Sequence, residues 1–151
     1  MIPGTLVEFS KGSKKWRQLK SISPLNDSVS SNLAMYKNMC SNFLRTKGFK
    51  VPKKKTIQKI EEILQFKKVN NIQDIVIKPS RGFGGMGVTI LPKNNKEIKE
   101  GLILAEEKSL SKKKYRVIVE EFANGNNYRL LILGDEVIAA VIREPAKVIG
   151  D

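Results

Sequence analysis

Asp74-Ile-Val-Ile-Lys-Pro-Ser-Arg-Gly-Phe-Gly-Gly-Met-Gly-Val-Thr-Ile-Leu91 decides how the rest of the chain is read. Ile75 to Ile77 is a short β-branched run that stops at Lys78-Pro79, and Val88 to Leu91 is a second, so the stretch predicts strand, glycine loop, strand. Gly82, Gly84 and Gly87 satisfy G-x-G-x-x-G, but a dinucleotide-binding loop must open a helix that receives the pyrophosphate, and here a strand follows. A Walker A loop fails as well, because no Gly-Lys-Ser/Thr comes after the glycines. What remains is a glycine flap between antiparallel strands, where backbone N–H groups close over an anion and Lys78 supplies a point charge. A plain glycine-rich hairpin turn fits the same residues.

Outward from this stretch, 151 residues is a one-domain length, and 40% hydrophobic residues suffice for a packed core. A net charge of +13 and a pI near 9.9 suit nucleic acid, an anionic membrane surface or a polyphosphate. The lysines are diffuse, however. Lys53-Lys54-Lys55, Lys67-Lys68 and Lys112-Lys113-Lys114 fall in or beside predicted loops as solvated clusters, with no interleaved aromatic residues to stack on bases. The expectation is therefore no nucleic-acid partner. The chain has no histidine, which excludes imidazole catalysis and histidine metal ligation. Cys40 is the only cysteine, so neither an internal disulfide nor a thiolate metal cluster can form, and it reads as a small buried hydrophobe. With no apolar run of membrane-spanning length and no signal pattern, the expectation is a cytoplasmic chain without a membrane partner.

Thr5 to Phe9 and Trp16 to Ile22 predict two strands around the Lys11-to-Lys14 turn, and Pro24 to Asp27 breaks the second. From Ser28 to Lys47 the apolar residues Leu33, Met35, Met39, Phe43 and Leu44 recur mostly at spacings of three and four, predicting one helix stopped by Gly48. Phe49 to Pro52 is a brief extended segment. Thr56 is placed to cap a second helix, with Ile57, Ile60, Ile63 and Leu64 inside, running to about Lys67. Asn95 to Lys108 predicts a third helix and Arg116 to Glu121 a strand. Tyr128 to Leu133 and Glu136 to Arg143 predict a hairpin around Gly134-Asp135. Helices feeding hairpins make an α+β module rather than a parallel α/β sheet.

Three blocks, in this order, resemble the ATP-grasp ligases: Val76-Ile-Lys-Pro-x-x-Gly-x-Gly-Gly-x-Gly-Val88, Val119-Glu-Glu-Phe-x-x-Gly-x-x-Tyr-Arg129 and Ile142-Arg-x-Pro-Ala-x-Val-x-Gly-Asp151. More narrowly they are similar to the branch holding cyanophycin synthetase and the glutathione-synthetase half of bifunctional glutathione enzymes. The resemblance begins near Ser21. It implies an ATP-grasp fold of two α+β subdomains, with residues 1–24 an N-terminal extension and 25–151 the first subdomain plus the start of the second. The implied activity joins a carboxylate to an amine through an acylphosphate, with ATP and Mg2+ as cofactors and amino acids or peptides as substrates.

The same resemblance implies roles for single residues. Lys78 and Lys37 contact the triphosphate, and Ser80 to Gly87, with Gly82, Gly84, Gly85 and Met86, form the flap over it. Glu120 and Glu121, with the backbone of Phe122 and Ala123, make the adenine-binding linker. Asn127 stands where the family usually has an acidic residue on the ribose hydroxyls, and an amide there makes a weaker, uncharged contact. Arg143 stabilises the transferring phosphoryl group and the developing oxyanion; its neighbour Glu144 replaces an apolar residue and would compete for it. A two-residue turn at Gly134-Asp135 pairs Arg129 with Ala140, which puts Arg129 and Arg143 on opposite faces unless a bulge intervenes. The resemblance places the magnesium ligands beyond residue 151, so this stretch alone is expected not to turn over and to leave the apolar hairpin uncovered, inviting homo-oligomers. A non-catalytic nucleotide-binding fragment and a basic nucleic-acid module are the alternatives left open.

Overall fold

The computed structural model describes residues 6–19, 24–82, 84–110 and 116–144. Thr5, the expected strand end at Ile22, Phe83, the 112–114 lysines and the closing Pro145-to-Asp151 motif lie outside them. In chain order the elements are β1 (Leu6–Lys11), β2 (Lys14–Leu19), α1 (Ser28–Met35), α2 (Lys37–Thr46), β3 (Lys54–Ile57), α3 (Ile60–Asn70), β4 (Ile75–Pro79), β5 (Thr89–Ile90), α4 (Asn95–Glu107), β6 (Val117–Glu121), β7 (Asn127–Leu133) and β8 (Glu136–Arg143). The α+β expectation holds: all strand pairings are antiparallel, in two hairpins and a four-stranded sheet of order β3-β6-β4-β5.

The core lies on one face of that sheet. Side chains alternate along a strand, so Ile75 and Ile77 of β4 and Val117 and Val119 of β6 point together toward α3 and α4, and all four are fully buried. Ile63 and Phe66 of α3 and Ile98, Leu102 and Ala105 of α4 close over them. The α4 helix begins where the Asn94 side chain accepts from the Glu97 N–H, while Asn94 Nδ2 and the Lys93 N–H donate to the Glu97 carboxylate. Gly101 lets it approach β5: a Cβ there would come within 2.8 Å of Thr89 Oγ1. No helix among the described residues is long and apolar enough to cross a membrane.

Two expectations are corrected. The helix expected over 28–47 is two helices, because Tyr36 is extended (φ −101°, ψ 91°) and ends α1 while opening α2. Gly48, in the left-handed region at φ +82°, does close the second. The apolar spacing within 28–47 is that of a helix, but neither helix buries a residue completely, and Met39 and Phe43 stay about half exposed. Thr56 and Ile57 are not helical: they belong to β3, and α3 starts at Ile60 and runs on to Asn70. Pairing with β6 outweighs the local capping signal, since it buries Ile57 against the core.

Candidate functional site

The other face of the sheet carries the polar residues. Thr56, Ile118 and Lys78 form one row across β3, β6 and β4, and Lys54, Glu120 and Val76 form the next. Lys78 Nζ donates to Glu120 Oε1 at 2.7 Å, and Lys54 Nζ lies 3.1 Å from Glu120 Oε2. These side chains are largely withdrawn from water, at 19, 9 and 14% exposure for Lys78, Lys54 and Glu120. In that setting charge pairs are stronger than on a surface, and each partner is costly to leave alone.

The α2 helix lies over this face. Asn38 Nδ2 donates to Thr56 Oγ1 at 2.8 Å, and Lys54 Nζ donates to Ser41 Oγ and the Lys37 carbonyl. The break at Tyr36 makes Lys37 the first residue of α2, and its ammonium donates to the carbonyls of Pro79 (3.2 Å) and Gly82 (3.0 Å) at the root of the glycine flap. Arg81, between those carbonyls, sits 5.4 Å over the Tyr36 ring. Burial above all, then repulsion by Lys78 and Lys54, hold the Lys37 ammonium below the usual lysine range, and Glu120 offsets this in part.

The flap follows β4. The Ser80 N–H donates to the Arg116 carbonyl at 2.6 Å, anchoring its start to the residue before β6. Gly84, Gly85 and Gly87 all have positive φ, but they differ in surroundings. A Cβ on Gly84 or Gly85 would meet nothing within 4 Å, whereas on Gly87 it would lie 2.7 Å from Lys108 Cβ and 3.0 Å from Pro79 Cγ. Met86 at the tip is about half exposed. The glycines are thus of two kinds, an open tip and a packed hinge.

The expected linker residues divide. Glu120 faces the lysines, but Glu121 points to the opposite face, where its carboxylate accepts from the Lys53 N–H. The Phe122 N–H is taken by the Asp74 carbonyl. Phe122 and Ala123 then line an open cleft of about 940 Å³ that is completed by Ile90, Asn127, Tyr128 and Arg143. In the hairpin forming its far wall, a register shift between Leu131 and Ile132 gives β8 one extra residue, Ile138. The bulge pairs Arg129 with Val141 and Asn127 with Arg143, so both arginines and Asn127 share one face, and the opposition expected from a regular hairpin does not arise.

The sequence reading therefore reached Lys37, Lys78 and Glu120, which the fold brings together, and Phe122, Ala123, Asn127 and Arg143, which line the cleft. It missed Lys54, taken there as one of a solvated loop cluster. The run Lys53-Lys54-Lys55 held no local signal for it, because the lysine that turns inward is set by the pairing of β3 with β6. It also passed over Arg81.

The chain is similar to known proteins over nearly its whole length. The chain is 35% identical to cyanophycin synthetase of Crocosphaera subtropica over 97% of its own length and 16% of that protein. It is 29% identical to the bifunctional glutathione biosynthesis protein GshAB of Clostridium perfringens, over 96% of itself and 18% of the relative. Among solved structures, the VanG D-Ala:D-Ser ligase of Enterococcus faecalis superposes with a TM-score of 0.53 at 27% identity, covering 77% of this chain and 32% of the ligase. The chain thus spans less than a fifth of the length of these curated relatives. The profile of the prokaryotic glutathione synthetase ATP-grasp domain matches residues 42–148, and the chain belongs to that ATP-grasp family.

Proposed function

We propose that this chain is the nucleotide-gripping part of an ATP-dependent carboxylate–amine ligase of the cyanophycin synthetase or glutathione synthetase type. The observation that carries the reading is the pairing of Lys54 and Lys78 with the Glu120 carboxylate, while the Lys37 ammonium is held on the Pro79 and Gly82 carbonyls at the root of the glycine flap. Three ammonium groups against one acid leave an excess of positive charge in a partly dry site, which suits a polyphosphate.

In this reading Lys78 and Lys37 take the phosphates, and Ser80 to Gly87 close over them with backbone N–H groups. The base lies toward the cleft. Glu120 accepts from its amine, and with the Phe122 N–H engaged by Asp74 the backbone donor for the ring is assigned to Ala123. Asn127 faces the ribose. Arg143 sits on the same hairpin face and steadies charge on the transferring group. A substrate carboxylate oxygen bonds to the γ-phosphorus as ADP departs; an amine then bonds to the acyl carbon as phosphate leaves and a proton is lost. The carboxylate and amine belong to amino acids or peptides, and a cytoplasmic setting goes with this chemistry.

Magnesium is the ion the family generally uses for such transfers. Among the described residues no three acid, histidine or cysteine side chains converge, and Glu120 is engaged by two lysines. These residues do not make a magnesium site.

Lys78→Met tests the reading. It is expected to weaken ATP binding about tenfold or more, the scale of a lost charge-assisted hydrogen bond, while adenosine binding stays nearly constant. Equal losses for ATP and adenosine in calorimetric titrations would sink the assignment.

A further inference from the structure

We propose that Lys54 is a positioning residue that releases Lys78 to the phosphates by holding the Glu120 carboxylate in its place; this rests on the nucleotide reading above. The two lysines bound to Glu120 are not equivalent. Lys54 sits directly opposite Glu120 in the β3–β6 pairing, so the sheet itself sets their separation. Its ammonium is ion-paired with Glu120 Oε2 at 3.1 Å and donates to the Lys37 carbonyl at 3.4 Å and to Ser41 Oγ. It is the drier of the two, at 9% exposure. Lys78 is diagonal to Glu120, stands at the flap end of β4 and has that carboxylate as its one hydrogen-bond acceptor among the described residues.

A polyphosphate entering under the flap competes with Glu120 for Lys78. Were Lys78 the sole partner, its departure would strand a carboxylate that is only 14% exposed, a costly state. With Lys54 fixed on the other oxygen, Glu120 keeps a countercharge throughout, and Lys78 exchanges one anion for another. Lys54 touches no phosphate in this scheme. It acts through Glu120, and that indirectness is what an experiment can read.

The probes are ATP and inorganic tripolyphosphate, titrated into the full chain, Lys54→Met, Glu120→Gln and the double variant, with melting curves for each. Lys54→Met is expected to weaken tripolyphosphate binding about tenfold, as Lys78 stays captured by Glu120. In the Glu120→Gln background, where nothing captures Lys78, the same substitution is expected to change affinity by less than about twofold, a coupling visible only if the sites interact. Lys54→Arg should restore most of the affinity. If Lys54→Met does not fold, Lys54→Gln, which keeps a donor toward Ser41, takes its place in both backgrounds. Equal losses in the two backgrounds would make Lys54 a direct charge or a mere support and overturn the proposal, as would no loss in either. A parent chain that binds neither probe overturns the nucleotide reading together with this one, whereas a binding parent with uncoupled variants overturns this one alone.

Discussion

The sheet β3-β6-β4-β5 and the hairpin β7–β8 are built from the same kinds of residue and end in opposite states. Ile75, Ile77, Val117 and Val119 are fully buried, while Leu131, Ile132, Val137 and Ile138 are each more than half exposed. Strand composition is thus a poor guide to burial; what differs is that α3 and α4 cover one face of the sheet, while no described helix covers the hairpin. The two regions also divide the site: the sheet sets the lysines and Glu120 to within hydrogen-bond distance, and the hairpin presents Asn127 and Arg143 across an open cleft.

The sharpest way to break this contrast is truncation. Ile77→Ala is expected to cost about 2–5 kcal/mol, the range for emptying a packed core position, and Leu131→Ala less than about 0.5 kcal/mol, as for an open surface. Urea denaturation of both variants decides it, and comparable losses would mean that the hairpin is covered in solution. The flap repeats the contrast at smaller scale. Gly87→Ala brings a side chain against Lys108 and Pro79 at a positive φ and is expected to lose about 2–3 kcal/mol, whereas Gly84→Ala has open space and should lose about 1 kcal/mol for the left-handed backbone alone. ATP binding should nevertheless weaken in both, because both change the flap.

Deleting Ile138 sharpens the hairpin side of the comparison. Without the extra residue the ladder becomes regular with the same partners, so Val141 still opposes Arg129 and both arginines stay on one face. Cross-strand NOEs between Arg129 and Val141 should persist, with stability changed by less than about 1 kcal/mol for so exposed an element. Loss of those NOEs would show that the strands have slipped into another register.

The smallest effect is in pH. The unfolded chain holds the Lys37 proton more tightly than the folded chain does, so stability rises as pH climbs from the depressed folded value toward the ordinary 10.5. Lys37→Met should flatten that slope in melting curves taken across the window, and an unchanged slope would place its origin elsewhere. Because a bound triphosphate favours the charged ammonium, ATP should bind less tightly over the same rise in pH.

Where the signal is local, sequence and structure coincide. Asn94 caps α4 within a residue of the expected start, Gly48 ends α2, and the glycine flap stands between β4 and β5 as its β-branched borders require. The candidate site was legible to the extent that motifs carry it, through Lys78, Glu120 and Arg143. Lys54 was not, since nothing in a run of three lysines tells which one a strand will turn inward against an acid far along the chain. Thr56 misled for the same reason: its capping chemistry is local, and pairing with β6 is not.

By itself, then, the sequence determined the antiparallel α+β class, the flap and the family, because these reside in periodicity, glycine placement and ordered motifs. Only the tertiary structure decided that Glu120 and Glu121 face opposite ways, that Lys54 joins Lys78 on one carboxylate, and that a bulge at Ile138 brings Arg129 and Arg143 to one face. A strand alternates its side chains strictly, so a single residue of register selects the face, and register is a property of the pairing between strands.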